Sequence, residues 1–435
     1  MTTSIGLKAR VGLFPGQGGY RQGALAKERK AGEPVVREVF GAIDEISLQR
    51  RGTAVSPIIF AAEPPTLATL GAEDHDTLQL AILGVSVAHH RLLAGDQPDL
   101  LLGHSLGEIS ALVCGGAWSI EDGASIVCDR NDVLRTHAPR YHGMIALACP
   151  AQRAEHLVSL ISDDDLVLAV DNSPGQCVLS GPVKLLDAVH DIAGKLGLKA
   201  TRVHTAYGFH NPALATAGRH FGGKVAGYSR HPLSTPVFSP ILGRRYHDND
   251  DLAALLGAHL TNTVHLGAAL AGLWAEGVRE FVEVGEGGIL ANLVRTTYPF
   301  AVAVSAAECW GQKVREAEPA PVPPSIATPE VVPVVTPLPP VERVTTSELR
   351  SVSRPEVVVS IQELFANALE YPVEVLGEEA ELEAELGVDS IRKADLLIAV
   401  RRKFNIGAPP TEYQSSDYDS IGKIADFVLD RVGSR

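Results

Sequence analysis

Ser105 stands between two glycines in Gly103-His104-Ser105-Leu106-Gly107, a match to G-x-S-x-G. The pattern suits a serine nucleophile when a strand ends before it and a helix starts after it. Leu100-Leu101-Leu102 is a short apolar run, and Glu108 to Val113 can continue as a helix. The glycines allow a sharp turn, and the helix N-terminus offers free N–H groups that favour negative charge. The competing reading is a glycine-rich turn whose serine merely caps the helix. A second glycine cluster, Pro15-Gly16-Gln17-Gly18-Gly19, follows the apolar Val11-Gly12-Leu13-Phe14. It is either an ordinary strand-to-helix turn or a loop in which Gln17 helps to stabilise an oxyanion. Arg130 lies on a helix read from Ile120 to Leu134, beside Ile126, Val127 and Leu134. A guanidinium there needs a counter-charge. A protein carboxylate is the commoner solution, and a substrate carboxylate held bidentately is the other. A base is harder to choose, because the chain holds 15 histidines. His210, in Tyr207-Gly208-Phe209-His210-Asn211-Pro212, is one of them.

The elements that would carry these residues follow from periodicity. Val11–Phe14 and Leu100–Leu102 read as buried strands, and Leu78–Leu93 as an apolar helix packed beneath the serine turn. His89 and His90, near the end of that helix, read as exposed or capping. From Met144 to Val203 the pattern becomes βαββαβ: strands Met144–Ala148, Leu166–Val170, Gln176–Leu179 and Ala200–Val203, with helices Gln152–Ile161 and Pro182–Lys195. Asn172-Ser173-Pro174-Gly175 is turn chemistry between the middle strands. The order is that of a ferredoxin-like split βαβ unit inserted in a larger domain. Pro236–Phe238 and Phe281–Val284 are later strands. Between them, His259 to Val264 is a helix end and turn.

At 435 residues the chain should fold as two or three domains. A hydrophobic share of 45% and a charged share of 21% are globular values. The net charge of −14 argues against nucleic acid, whose phosphates need clustered Lys and Arg. The five cysteines show neither CxxC nor metal-type spacing, which fits reduced thiols. No leader pattern opens the sequence and no apolar run is long enough to span a bilayer. The expectation is a soluble, cytoplasmic protein without a metal or a membrane partner.

Nine prolines between Pro319 and Pro340 forbid helix and sheet there. The segment 313–355 therefore reads as a semi-rigid linker with polyproline character. Periodicity returns in 356–435, with amphipathic helices over Val357–Leu369, Ser390–Phe404 and Ser420–Val432. Sixteen acidic against eight basic side chains make this tail strongly negative. So small an acidic bundle suits a carrier or interaction module better than an enzyme.

As a set, the motifs resemble those of malonyl-CoA:acyl carrier protein transacylases and polyketide synthase acyltransferase domains. FPGQG at Phe14–Gly18, GHSLGE at Gly103–Glu108, NSPGQ at Asn172–Gln176 and EVG-x-G at Glu283–Gly287 occur in that order. In the tail, Leu386-Gly387-Val388-Asp389-Ser390-Ile391 resembles the phosphopantetheine site of acyl carrier proteins. Its DSI form, followed by Arg392 and Lys393, is similar to carriers of polyunsaturated fatty acid and enediyne-type synthases.

The resemblance implies an α/β fold with an α/β-hydrolase-like core over 1–312, the ferredoxin-like insert at about 141–205, and a carrier domain over 356–435. It implies Ser105 as nucleophile and His210 as its base, with the backbone carbonyl of His259 orienting the imidazole. The oxyanion hole would be the backbone N–H groups of Leu106 and Gln17. Arg130 would grip the free carboxylate of a malonyl group, and Tyr207, Gly208, Phe209, Leu134 and Asn172 would line the acyl pocket. Ser390 would bear a covalent 4'-phosphopantetheine, with no metal required. Expected partners are malonyl-CoA or a related acyl-CoA, a phosphopantetheinyl transferase, and a ketosynthase or other carriers. The loop before the base departs from the family: it combines the Tyr of methylmalonyl-selective domains with the Phe of malonyl-selective ones. Phe209 and Leu106 point to malonyl, whereas Gly208 should open space for an α-substituent. Glu286 stands where a proline is usual. The alternatives are an unusual α-substituted malonyl unit, or a hydrolase that edits mis-loaded carriers.

Overall fold

The computed structural model describes residues 9–310, 353–369 and 420–433, with isolated positions between 377 and 406. The chain divides into two compact units: Met1–Thr297 with Val302–Trp310, and Tyr298–Ala301 with Gly311–Arg435. The first unit holds eleven described strands. They are β1 (Arg10–Phe14), β2 (Leu100–Gly103), β3 (His142–Leu147), β4 (Val167–Ser173), β5 (Gln176–Pro182), β6 (Ala200–Arg202), β7 (Val237–Ser239), β8 (Arg244–Arg245), β9 (Val264–His265), β10 (Glu280–Glu283) and β11 (Val302–Ser305).

Six of these form a sheet in the order β11-β10-β1-β2-β7-β8, parallel except for the β7–β8 pair. Its central strands are continuous apolar runs, as strands buried on both faces must be. Val11, Leu13, Leu101, Leu102, Phe281 and Val282 are all almost fully buried. The register brings the motifs together. Phe14 lies opposite Gly103, and Leu13 lies opposite Glu283. The three glycine loops that follow β1, β2 and β10 therefore emerge side by side at the carboxyl edge of one parallel sheet. Open α/β sheets bind their ligands at that edge.

The second sheet has the order β6-β3-β5-β4-β9. β3 pairs antiparallel with β5 and β6, and β4 antiparallel with β5, while β9 joins β4 in parallel. The helices Ala151–Ile161 and Val183–Lys195 bury Leu157, Leu186 and Val189 against Ile145, Leu147 and Leu179 of this sheet. β5 is buried along almost its whole length, from Cys177 to Gly181, as the middle strand of the small sheet. Strand β9 was not foreseen. It comes from the turn after the helix Leu252–His259, and it is too short to carry a period of its own.

The helix His75–Leu92 begins at an Asp74 cap, whose side chain accepts from Thr77 N–H at 3.0 Å. It is buried continuously from Thr77 to His90. The expectation that His89 and His90 are exposed is therefore corrected. A helix enclosed on every side has no solvent face to offer them. His89 Nε2 lies 3.0 Å from Glu286 Oε1, which also accepts from Leu25 N–H at 2.6 Å. Glu286 thus pins the late glycine turn to the chain after β1.

In the second unit, the helices Arg354–Leu369 and Ile421–Gly433 pack on each other and bury Ile361, Phe365, Ile424 and Val428. Arg354 Nε donates to Asp426 at 2.6 Å. Residues 313–352 of the predicted linker lie outside the described residues, and its predicted end at 355 is corrected, since Arg354 and Pro355 already belong to the helix Arg354–Leu369. The Ser390–Phe404 helix is described at isolated positions alone. Among the described residues, no helix is long and apolar enough to cross a membrane.

Two glycines make the serine turn possible. A Cβ on Gly107 would sit 2.1 Å from the Phe14 carbonyl oxygen, and one on Gly103 would sit 2.1 Å from Glu108 Cα. Both obstacles are backbone, so neither can yield cheaply. Gly107→Ala should lower stability by about 3 kcal/mol through overpacking. Gly272→Ala meets nothing within 4 Å inside a helix, and should be neutral or stabilising by about 0.5–1 kcal/mol. Urea midpoints of the two variants check this. Equal midpoints would mean that the glycine contact does not constrain the turn.

Candidate active site

Ser105 directly follows the β2 loop and precedes the helix Gly107–Cys114. Its φ is +54°, a left-handed value that non-glycine residues rarely adopt. The turn is held by Gly107 N–H donating to the His104 carbonyl at 3.0 Å and Glu108 N–H donating to the Ser105 carbonyl at 2.8 Å. His210 also sits at positive φ, +57°. Its loop is fixed by Asn211, whose amide donates to the Asp165 carbonyl at 2.8 Å and the Ser180 carbonyl at 3.2 Å. The Asn211 N–H donates to the Leu260 carbonyl at 3.2 Å. The two strained residues meet: Ser105 Oγ lies 2.8 Å from His210 Nε2.

The other imidazole nitrogen, Nδ1, lies 3.0 Å from the carbonyl of Asn262. This corrects the assignment of that carbonyl to His259. The helix Leu252–His259 ends at His259, and Thr261 and Asn262 fold back to donate to the Ala258 carbonyl. That reversal carries the Asn262 carbonyl to the imidazole. His259 contributes its side chain instead, with its ring 5.6 Å from that of His210 and Nε2 3.4 Å from Glu108 Oε2. Glu108 also accepts from the Tyr246 hydroxyl at 2.5 Å.

With Nδ1 donating to a carbonyl, Nε2 is the free base and the serine hydroxyl donates to it. Burial, then the neighbouring His259, His104 and Arg130, hold the His210 pKa well below the usual histidine value. His210 is therefore neutral near pH 7, which a proton acceptor must be. Next to Ser105, His104 Nε2 lies 2.9 Å from Asn172 Oδ1, and Asn172 Nδ2 donates to Gln176 Oε1 at 2.9 Å. The NSPGQ turn is thus tied to the serine turn. The sequence carried no sign of the His104 contact, since neighbours of this kind share no period.

Ser105 and His210 open on a cavity of about 340 Å³, lined also by Gln17, Asn172, Phe209 and an apolar wall that includes Val178 and Leu290. Leu106 caps the helix that follows Ser105, so its N–H is among those with no intrahelical acceptor. Of the expected pocket residues, Tyr207, Gly208 and Leu134 do not line this cavity. Leu134 is fully buried in the helix Ile120–His137. Gly208 does not open space: a Cβ there would sit 2.9 Å from Ser180 Oγ and 3.1 Å from the Gly143 carbonyl.

Arg130 is 1% exposed, and among the described residues it has no carboxylate partner. Its NH1 donates to Gln79 Oε1 at 2.8 Å, and its Nε is without a partner. The guanidinium carbon lies 4.6 Å from the centre of the Phe209 ring, and that ring is a wall of the cavity. Burial lowers the Arg130 pKa to about 9, so it still carries its charge at neutral pH. A buried cation with one neutral ligand and a spare donor is an incomplete site for an anion.

Comparison with known proteins gives the family. Residues 11–321 match the family model of the acyl transferase domain, and residues 359–428 match that of the phosphopantetheine attachment site. The chain belongs to the acyl transferase domain family and carries a phosphopantetheine attachment region. It is 29% identical over 289 residues to a malonyl CoA-acyl carrier protein transacylase of Bacillus subtilis, covering 65% of this chain and 88% of that one. It is 30% identical to the spectinabilin polyketide synthase system protein NorC of Streptomyces orinoci, over 65% of this chain but only 12% of that much longer one. Among solved structures, the malonyl-CoA:acyl carrier protein transacylase of Xanthomonas oryzae superposes with a TM-score of 0.61 at 26% identity, covering 73% of this chain and 99% of that one.

Two pH responses follow. Acylation that depends on neutral His210 should stay level from about pH 8 to about pH 6, because the folded pKa lies below the ordinary value of 6.5. Stability should behave differently. Burial lowers His75 to about 3 and His90 to about 4, and lowers His104 as well. Unfolding restores their ordinary values, so below about pH 6.5 the unfolded chain binds more protons and stability falls with pH. Stopped-flow acylation and melting temperatures across the same buffers test both. An acylation inflection at about pH 7 or above would contradict the neutral base.

Proposed function

We propose that this chain transfers a malonyl group from coenzyme A through an ester on Ser105 to the thiol of an acyl carrier protein. Acyl transfer is the family's chemistry, and the carrier-like tail supplies an acceptor of the right kind. The observation that selects malonyl is Arg130. It is a buried, charged guanidinium beside the acyl cavity, with no carboxylate of its own among the described residues. A free carboxylate on the acyl group completes it. A neutral acetyl tail leaves it unmatched, which is the kind of difference that discriminates strongly between substrates. Phe209 faces the guanidinium at 4.6 Å and also lines the cavity, which links the cation to the acyl site. The close packing at Gly208 and the bulk of Phe209 favour malonyl over an α-substituted unit.

The steps use the atoms described above. His210 Nε2 takes the proton of Ser105 Oγ as the oxygen attacks the thioester carbonyl. The carbonyl oxygen becomes an oxyanion held by the backbone N–H groups of Leu106 and Gln17. The Asn262 carbonyl steadies the imidazolium through Nδ1. As the C–S bond breaks, His210 Nε2 returns its proton to the departing coenzyme A thiolate, leaving the acyl ester on Ser105. In the second half, His210 takes the proton of the incoming thiol. Its sulfur attacks the ester carbonyl and forms the new C–S bond, the bond from Ser105 Oγ to the acyl carbon breaks, and His210 returns that proton to Ser105 Oγ.

Ser390 lies outside the described residues. The attachment-site match over its region, and the apolar cavity wall beside Ser105, fit an uncharged arm ending in a thiol. Bound 4'-phosphopantetheine would supply the acceptor thiol. Its attachment requires a phosphopantetheinyl transferase, and condensation requires a ketosynthase partner.

We read the six-stranded sheet as an α/β-hydrolase-like core. The strand order β6-β3-β5-β4 matches a ferredoxin-like subdomain over about 141–205. Residues 1–312, 313–353 and 354–435 then act as transferase, linker and carrier. The linker lets Ser390 reach Ser105 within one chain, at an effective concentration on the order of millimolar.

Intact-mass spectrometry after malonyl-CoA tests the route. Ser105→Ala should abolish the malonyl adduct, and Ser390→Ala should keep the ester but block its onward transfer. An adduct persisting on Ser105→Ala apo-protein would contradict the assignment. Arg130→Ala should cost malonyl loading about 2–3 kcal/mol or more, with acetyl loading little changed. An unaltered malonyl-to-acetyl ratio would make Arg130 a structural residue. Release of free malonate with no acylated carrier would mark a hydrolase.

A further inference from the structure

Gln79 and His75 lie one turn apart at the start of the helix His75–Leu92, and Gln17 lies on the glycine loop after β1. The three form a continuous hydrogen-bonded path that starts at Arg130. A guanidinium can only donate. Gln79 therefore presents its oxygen to Arg130, as observed at 2.8 Å. That fixes the direction of the Gln79 amide, and its nitrogen contacts His75 Nε2. An amide nitrogen donates, so Nε2 must accept, and a neutral imidazole then carries its proton on Nδ1.

His75 is neutral: burial first, and the Arg130 charge second, lower its pKa to about 3. The end of the Gln17 side chain, placed with its Nε2 toward the ring, lies 3.2 Å from both ring nitrogens. With the ring Nε2 already engaged, the remaining group is Nδ1–H, which Gln17 meets by presenting its amide oxygen. A half-turn of the amide exchanges its oxygen and nitrogen, so the network, not the atom positions, decides which one faces His75. The ring is held in place on two sides. Tyr207 meets it edge-on at 5.4 Å, and Phe209 lies nearly parallel to it at 6.1 Å.

We infer that His75 is a positioning residue that couples Arg130 to Gln17 through Gln79, so that carboxylate recognition and the oxyanion hole work as one unit. The inference rests on the reading of Arg130 as the carboxylate ligand. Its consequence is an effect on rate in addition to the effect of Arg130 itself on binding. When a carboxylate engages Arg130, the guanidinium keeps Gln79 oriented, Gln79 holds His75 in one tautomer, and His75 fixes Gln17. The Gln17 backbone N–H then meets the developing oxyanion in place. An acyl group without a carboxylate leaves the guanidinium held by the Gln79 oxygen alone, and the path is then less firmly fixed at its far end. Discrimination should therefore appear in kcat as well as in KM.

Two measurements test this on the full-length protein. In the first, His75→Phe keeps a ring between Tyr207 and Phe209 but removes both nitrogens, and His75→Gln keeps a donor and an acceptor. His75→Phe should lower kcat for malonyl loading roughly tenfold or more, lower acetyl loading much less, and leave KM nearly unchanged. His75→Gln should recover most of the loss. Equal losses in both variants, or malonyl and acetyl rates falling in proportion, would overturn the coupling. In the second, the ¹⁵N chemical shifts of the His75 imidazole report its tautomer in the wild type without any substrate. Nδ1–H is expected, and Gln79→Leu should disturb it. An Nε2–H tautomer would overturn the proposal. If the wild type does not load malonyl, the proposed substrate fails, and the tautomer still decides whether the path exists.

Discussion

The 2.8 Å hydrogen bond between Ser105 Oγ and His210 Nε2 is the constraint that the rest of the structure serves. Both residues are held at φ values near +55°. A non-glycine residue gives up of order 1–3 kcal/mol to stay there, so the surroundings must over-determine both. On the serine side, Gly103 and Gly107 let the chain pass within contact of Phe14 and Glu108. On the histidine side, Asn211 binds three backbone carbonyls, of Asp165, Ser180 and Leu260, through its amide and its N–H. One half of the pair is built on the large parallel sheet. The other half is anchored to the small sheet and to the turn before β9. The cavity is the space left between these anchors.

The base and the buried guanidinium differ in charge. Burial holds His210 neutral and ready to accept a proton. Behind Phe209, a residue of the cavity wall, Arg130 keeps its positive charge, and among the described residues its contacts are the Gln79 oxygen and the Phe209 ring. Burying a cation in this way is costly unless an anion arrives to pair with it. A malonyl thioester offers both features at once: an electrophilic carbonyl for Ser105, and a carboxylate for Arg130.

The two parallel strands that start the site, and the glycine loops after them, were legible because each is a continuous apolar run ended by glycine. The βαββαβ order of the insert was legible because short apolar strands alternate there with amphipathic helices and the turn Asn172-Ser173-Pro174-Gly175. What escaped the sequence were contacts between residues that share no element. His89 and His90 looked like helix-end polar residues, yet the helix that carries them is enclosed on all sides. Gly208 looked like a gap in the pocket, but it is the point where the base loop presses on Ser180 and Gly143. The carbonyl that orients His210 belongs to Asn262 because the chain doubles back after His259, and residue spacing cannot reveal such a reversal. His75 and Gln79 were hidden for a similar reason. Two polar residues at the start of an apolar helix carry no sign of the arginine, some fifty residues on, that they meet.

The central claim is that a buried guanidinium without its own carboxylate selects the acyl group. The most direct test offers the wild-type protein equal concentrations of malonyl-CoA and acetyl-CoA and weighs the Ser105 ester at the earliest resolvable times. The account predicts that the malonyl ester exceeds the acetyl ester by roughly thirtyfold or more, the factor expected when a charge-assisted pair is made by one substrate and left unmade by the other. Comparable amounts of the two esters would contradict it.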